Sequence, residues 1–124
     1  MIHEEICTYE VCKLAKEKGF PVKEIECWHY EYDGHPTKEI IDEQQYPNIT
    51  QSLLQRWLRE EKNIHIEIIA TASGYYWCIN KTNGTSITDS DVLNRFTNEN
   101  SGRFDAYEHA LEDALKYALK NNVN

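Results

Sequence analysis

The chain has 124 residues, 40% of them hydrophobic and 27% charged, with three Trp and eight Tyr but only five Gly and three Pro. This is a globular composition, and a chain of this length can bury about two-thirds of the surface its unfolded form exposes, so it needs no disulfide or metal to fold. Thirteen Lys and Arg against 21 Asp and Glu leave a net charge of −8, a field that repels polyanions and argues against nucleic acid as a partner.

The first predicted helix covers residues 8–18, with Thr8 as N-cap, Glu10 in the first turn, and Val11, Cys12, Leu14 and Ala15 on its apolar side. Gly19, Phe20 and Pro21 form its stop: a left-handed position, a residue that folds back, and a breaker. Residues 25–32 and 37–43 flank Asp33-Gly34 and read as a hairpin, with Trp28, Tyr30 and Tyr32 on one face and Ile25, Cys27 and His29 on the other. Seven acids (Glu24, Glu26, Glu31, Asp33, Glu39, Asp42, Glu43) oppose Lys38 alone in this stretch. They make it either a solvated surface or a docking face for a basic partner.

A second helix is predicted over 51–61, capped by Asn48 or Thr50 and stopped near Asn63. Leu53, Leu54, Trp57 and Leu58 form its apolar stripe; Gln51, Gln55, Arg56, Arg59 and Glu60 are assigned to the wet side. Strict alternation over 64–68 gives a strand with isoleucines inward. Residues 75–79 give another, and Asn83-Gly84 turns the chain into a short strand over 85–88. Residues 89–102 read as a long polar loop with one helical turn around 92–96. The last helix begins with Asp105-Ala-Tyr-Glu108, a capping box in Asp form, and repeats Tyr107, Leu111, Ala114, Leu115, Ala118 and Leu119 at helical spacing. The order α-β-β-α-β-β-(β)-α implies one α+β domain, an antiparallel sheet built from two hairpins with three helices.

No apolar run approaches the roughly 20 residues of a membrane span, and the first residues lack the charge pattern of a signal peptide. The expectation is a cytoplasmic chain whose four cysteines stay reduced. His3, Cys7 and Cys12, and Cys27 with His29, are the nearest approach to a metal set, yet no C-x-x-C is present, and free cysteines of this kind behave as small hydrophobes. No Gly-x-Ser-x-Gly elbow or Gly-rich phosphate loop occurs, and Asp89-Ser-Asp91 lacks the glycine and terminal Glu of a calcium loop. No cofactor and no catalytic residue is therefore assigned. Consecutive Tyr75, Tyr76 and Trp77 put aromatics on both faces of one strand, and with Trp28 and Tyr30 they are the candidate interaction residues. Gln55 and Arg59 represent an alternative, nucleic-acid contact through the outer side of the second helix.

Three segments carry a resemblance: Thr8-Tyr-Glu-Val-Cys-Lys-Leu-Ala-Lys-Glu-Lys-Gly-Phe20, Thr50-Gln-Ser-Leu-Leu-Gln-Arg-Trp-Leu-Arg-Glu60 followed by Ile64-His-Ile66, and Tyr107-Glu-His-Ala-Leu-Glu-Asp-Ala-Leu115. In this order the chain resembles small uncharacterised proteins encoded by bacterial phages and integrated mobile elements. The middle segment is the most specific. The resemblance implies a bacterial cytoplasm and supplies no activity and no site residues. Residues 89–102 exceed the connection expected from it and read as an insertion. The resulting expectation is a non-enzymatic module that binds a protein or regulates one, with a small enzyme of unrecognised site as a third reading.

Overall fold

The computed structural model describes residues 4–21, 49–92 and 103–123. They form α1 (Tyr9–Glu17), α2 (Gln51–Glu61), β1 (Ile64–Thr71), β2 (Gly74–Lys81), β3 (Ser86–Asp89) and α3 (Tyr107–Asn121), an α+β arrangement. A helical turn starts at 90–92. The remainder of the expected 89–102 loop and the whole acidic hairpin, with Trp28, Tyr30, Cys27 and His29, lie outside the described residues.

Local punctuation sets the first two helices. The Thr8 side chain accepts a hydrogen bond from the Val11 N–H, the N-cap bond that stabilises a helix start by about 1 kcal/mol. At the other end Gly19 takes φ 103°, its N–H bonds to the Lys16 carbonyl, and the Phe20 N–H bonds to the Ala15 carbonyl. That is a Schellman stop, and it turns Phe20 into the core. Thr50, rather than Asn48, caps α2 by accepting from the Leu53 N–H at 3.2 Å. Asn63 follows its end with φ 60°.

The sheet is antiparallel in the order β1-β2-β3. Ile66 faces Ile79 and Ile68 faces Trp77 across the β1–β2 ladder. The period of two therefore puts Ile64, Ile66, Trp77 and Ile79 on one buried face, with His65, Glu67, Tyr76 and Cys78 on the other. Between β2 and β3 the register slips at Ile79/Asn80, leaving Ile87 without a partner of its own and packed against the core. The Trp77 N–H bonds to the Ser90 hydroxyl, and Tyr75 exchanges both backbone bonds with Phe104, at 2.9 and 2.7 Å.

Helices α2 and α3 cover the isoleucine face, and α1 packs on α3. The core joins Val11, Ala15 and Phe20 to Leu54, Leu58, Ile66, Ile79, Leu115 and Leu119. One expected cap is corrected. Helix α3 starts at Tyr107 with Ala106 at the N-cap and no side-chain cap bond. Pairing of Phe104 with Tyr75 keeps the chain in strand geometry one residue earlier, so Asp105 falls in the bend, too soon to cap.

Candidate functional site

All three helices begin at the same end of the molecule, and one carboxylate gathers two of those beginnings. Glu112, in the second turn of α3, accepts the Thr8 N–H at 2.8 Å and the Thr8 hydroxyl at 2.7 Å on one oxygen. Its other oxygen accepts from the Gln51 side-chain amide at 2.9 Å, and the same amide also reaches the Glu108 carbonyl at 3.0 Å. The negative group thus sits where the dipoles of α1 and α2 are positive. At the opposite end the Lys18 ammonium donates to the Val123 carbonyl. Lys116 pairs midway with Glu10 at 3.3 Å. Helices α1 and α3 therefore run in the same direction.

Three large hydrophobic side chains are exposed among the described residues, each at or just before the start of α1 or α3: Ile6 (39% exposed), Tyr9 (55%) and Tyr107 (41%). Ile6 is fixed by its bridge to Thr50, Tyr9 opens α1, and Tyr107 opens α3. The Tyr107 ring meets the half-buried Tyr75 edge-on, with centroids 6.1 Å apart. Residues 4–12 and 105–115 carry Glu4, Glu5, Glu10, Asp105, Glu108, Glu112 and Asp113 and no Lys or Arg. The surface combines rigid amphipathic rings with a negative rim, a chemistry suited to Lys and Arg side chains and the apolar area around them.

The interaction residues expected from sequence fall in different places. Tyr75 borders the exposed end. Tyr76 points to the opposite sheet face, where the Arg103 guanidinium stacks on its ring at 4.9 Å while pairing with Asp91 at 3.2 Å. Trp77 is not on the surface: it is 1% exposed, its indole N–H bonds to Asp113 at 2.9 Å, and its ring packs on Tyr117. Trp28 and Tyr30 lie outside the described residues. The wet side assigned to α2 is also corrected. Gln51 is 4% exposed and holds Glu112, and Gln55 donates to the Ile66 carbonyl of β1. Arg56 is bound to Glu60, and Arg59 is exposed. Sequence reasoning missed Tyr9 and Glu112, and its placing of Tyr107 in the apolar stripe of the last helix is corrected, since Tyr107 opens that helix and is 41% exposed. Tyr9 and Tyr107 both stand at the first position of a helix, and that position was the available signal.

Cys7, Cys12 and Cys78 are free thiols, the first two buried. A hydrogen bond from the Cys7 thiol and another from the Ile49 backbone hold the Cys12 thiol below the ordinary 9.0. The same contact with Cys12, then burial and the Glu112 charge, push Cys7 far up. Burial pushes Cys78 up as well, helped by Asp89, Glu67 and Asp91. Among the described residues no three His, Cys, Asp or Glu side chains are placed to hold a metal ion. A groove of about 570 Å³ lies along Gly19, Pro21, Leu53, Arg56, Trp57 and Lys62. Among the described residues its lining adds the carboxylates of Glu60 and Glu61 and offers no thiol, hydroxyl or imidazole. No helix among the described residues is long and apolar enough to cross a membrane. In comparisons with known proteins the chain matches no family profile, no curated protein and no solved structure.

Proposed function

We propose that this chain is a non-enzymatic protein-binding module, an accessory protein of the phage or mobile-element kind, that docks through the end where its helices begin. The observation that carries the reading is the exposure of Ile6, Tyr9 and Tyr107 at the starts of α1 and α3, among acidic residues, while the remaining large apolar side chains of the described residues are at least half-buried. Tyrosines bury large area with little loss of side-chain freedom, and carboxylates around them speed and orient the approach of a positive surface. The partner this chemistry fits is a protein presenting a basic patch with aliphatic or guanidinium groups at its centre.

The test compares the wild type with a Tyr9→Ala/Tyr107→Ala double variant as immobilised bait in host extract, with Arg59→Ala as control. The expected result is a defined protein retained at low salt by the wild type and by the Arg59 variant and lost by the tyrosine variant, whose thermal unfolding stays cooperative. Equal retention by all three baits, or retention that depends on Arg59, overturns the proposal.

A further inference from the structure

Two of the three thiols among the described residues occupy one structural device. Thr8 is the N-cap of α1, so Cys7 stands at N′ and Cys12 at N4, the two positions whose side chains pack across a helix start as a hydrophobic staple. Aliphatic side chains commonly fill this place; here it holds two sulfurs. The Cys12 thiol donates to the Cys7 carbonyl at 3.7 Å, which places its sulfur against the Cys7 backbone. Both are buried, yet every described neighbour of Cys7 within three residues (Glu4, Glu5, Ile6, Thr8, Tyr9, Glu10) is exposed, so Cys7 enters the core from a surface segment. That segment is tied to the rest of the chain by the Cys7 N–H to the Ile49 carbonyl and the Gln51 N–H to the Glu5 carbonyl.

We infer that Cys7 and Cys12 form a peroxide-responsive dithiol that closes reversibly to an intrachain disulfide across the start of α1. Cys12 is the attacking sulfur: it stands in the first turn of α1, where the positive end of the helix favours a thiolate, and its pKa lies below the ordinary value despite burial and the Glu112 charge, while that of Cys7 lies far above it. The thiolate attacks one oxygen of hydrogen peroxide, the O–O bond breaks, and the leaving hydroxide takes a proton to become water, which leaves a sulfenic acid on Cys12. Cys7 then attacks that sulfur. An S–S bond forms, the S–O bond breaks, and a second water departs with the Cys7 proton. Two electrons pass from the sulfurs to the peroxide, and both thiol protons end in water. Opening of residues 4–8 from Ile49, Gln51, Ser52 and Glu112 admits the oxidant, so the rate follows local unfolding and not global unfolding.

The test is a peroxide titration of the folded, full-length protein followed by alkylation and tryptic mapping. Residues 7 and 12 fall in one peptide ending at Lys13. The expected result is that this peptide loses two hydrogens in mass, loses both alkylation sites and regains them with dithiothreitol, before Cys78 reacts. In Cys7→Ser the expected product is a Cys12 sulfenic acid trapped by dimedone. Conversion of Cys12 to sulfinic acid with Cys7 still alkylated, oxidation of Cys78 ahead of the pair, or no reaction until the protein unfolds each overturns the inference. The wild-type mapping decides the matter even where the serine variant fails to fold.

Discussion

At the scale of single residues, Glu112 carries more of the structure than its partly exposed position suggests. Its carboxylate holds Thr8 twice and Gln51 once. Removing it leaves the buried Gln51 amide with only the Glu108 carbonyl and strips a charge from two helix starts. Glu112→Ala is expected to lower stability by about 3 kcal/mol in urea unfolding, the range for hydrogen bonds to a charged group lost together. Glu112→Gln, which keeps an acceptor, is expected to lose about half of that. A loss below the usual ±0.5 kcal/mol of a surface substitution contradicts this role.

Two glycines offer a second residue-scale contrast. Gly19 and Gly74 both have positive φ, but a Cβ on Gly19 meets open space, while one on Gly74 lies 2.6 Å from the Phe104 carbonyl oxygen. Gly19→Ala is expected to cost about 1 kcal/mol, from conformation alone. Gly74→Ala should cost more, because the backbone pairing of Tyr75 with Phe104 must also shift. Equal losses in parallel denaturation curves exclude the close approach. Cys78 supplies a pH dependence. Its folded thiol ionises above the ordinary 9.0, so its contribution is complete below that pH and is lost as pH rises through the folded value. The wild type should lose stability relative to Cys78→Ala on going from about pH 8 to pH 10.5, and parallel curves contradict the assignment.

At the scale of elements, the parts legible in the sequence were those decided by neighbours along the chain. Thr8, Gly19, Thr50 and Asn63 each act on backbone groups within a few residues, and α1, α2 and their ends follow from them. The Asn83-Gly84 turn and the alternation of Ile64, Ile66 and Ile68 belong to the same class. What resisted reading depends on partners far away in sequence. Gln51 and Gln55 look like solvent residues until Glu112 and the Ile66 carbonyl are brought beside them. The Asp105 box fails because Phe104 is claimed by Tyr75 from across the sheet. Trp77 looked as available as its neighbours, and only the helix layer shows that it lies inside. Among the described strands β1 lies at the edge, and Gln55 occupies the Ile66 carbonyl there, a group that an edge strand otherwise presents to other chains. Gln55→Leu is expected to cost about 1–2 kcal/mol and to speed amide exchange in β1 ahead of β2. Unchanged exchange in β1 contradicts this role.

At the scale of the whole molecule, the parallel run of the helices sorts the surface into unlike regions. Their starts bring together Thr8, Gln51 and Glu112, and Ile6, Tyr9 and Tyr107 are exposed near them with the acids Glu4, Glu5, Asp105 and Glu108, while Glu10 is paired with Lys116. Acids there are favoured by the helix dipoles as well as by any positive partner, so the tyrosines, and not the charges, distinguish docking from local stability. This separation guides the decisive measurement, which is retention of a host protein by immobilised wild type, by Tyr9→Ala/Tyr107→Ala and by Glu10→Gln/Glu108→Gln. The account predicts that the tyrosine variant loses the partner at every salt concentration, while the glutamine variant keeps it with weakened salt sensitivity. A partner held equally by the wild type and the tyrosine variant contradicts it.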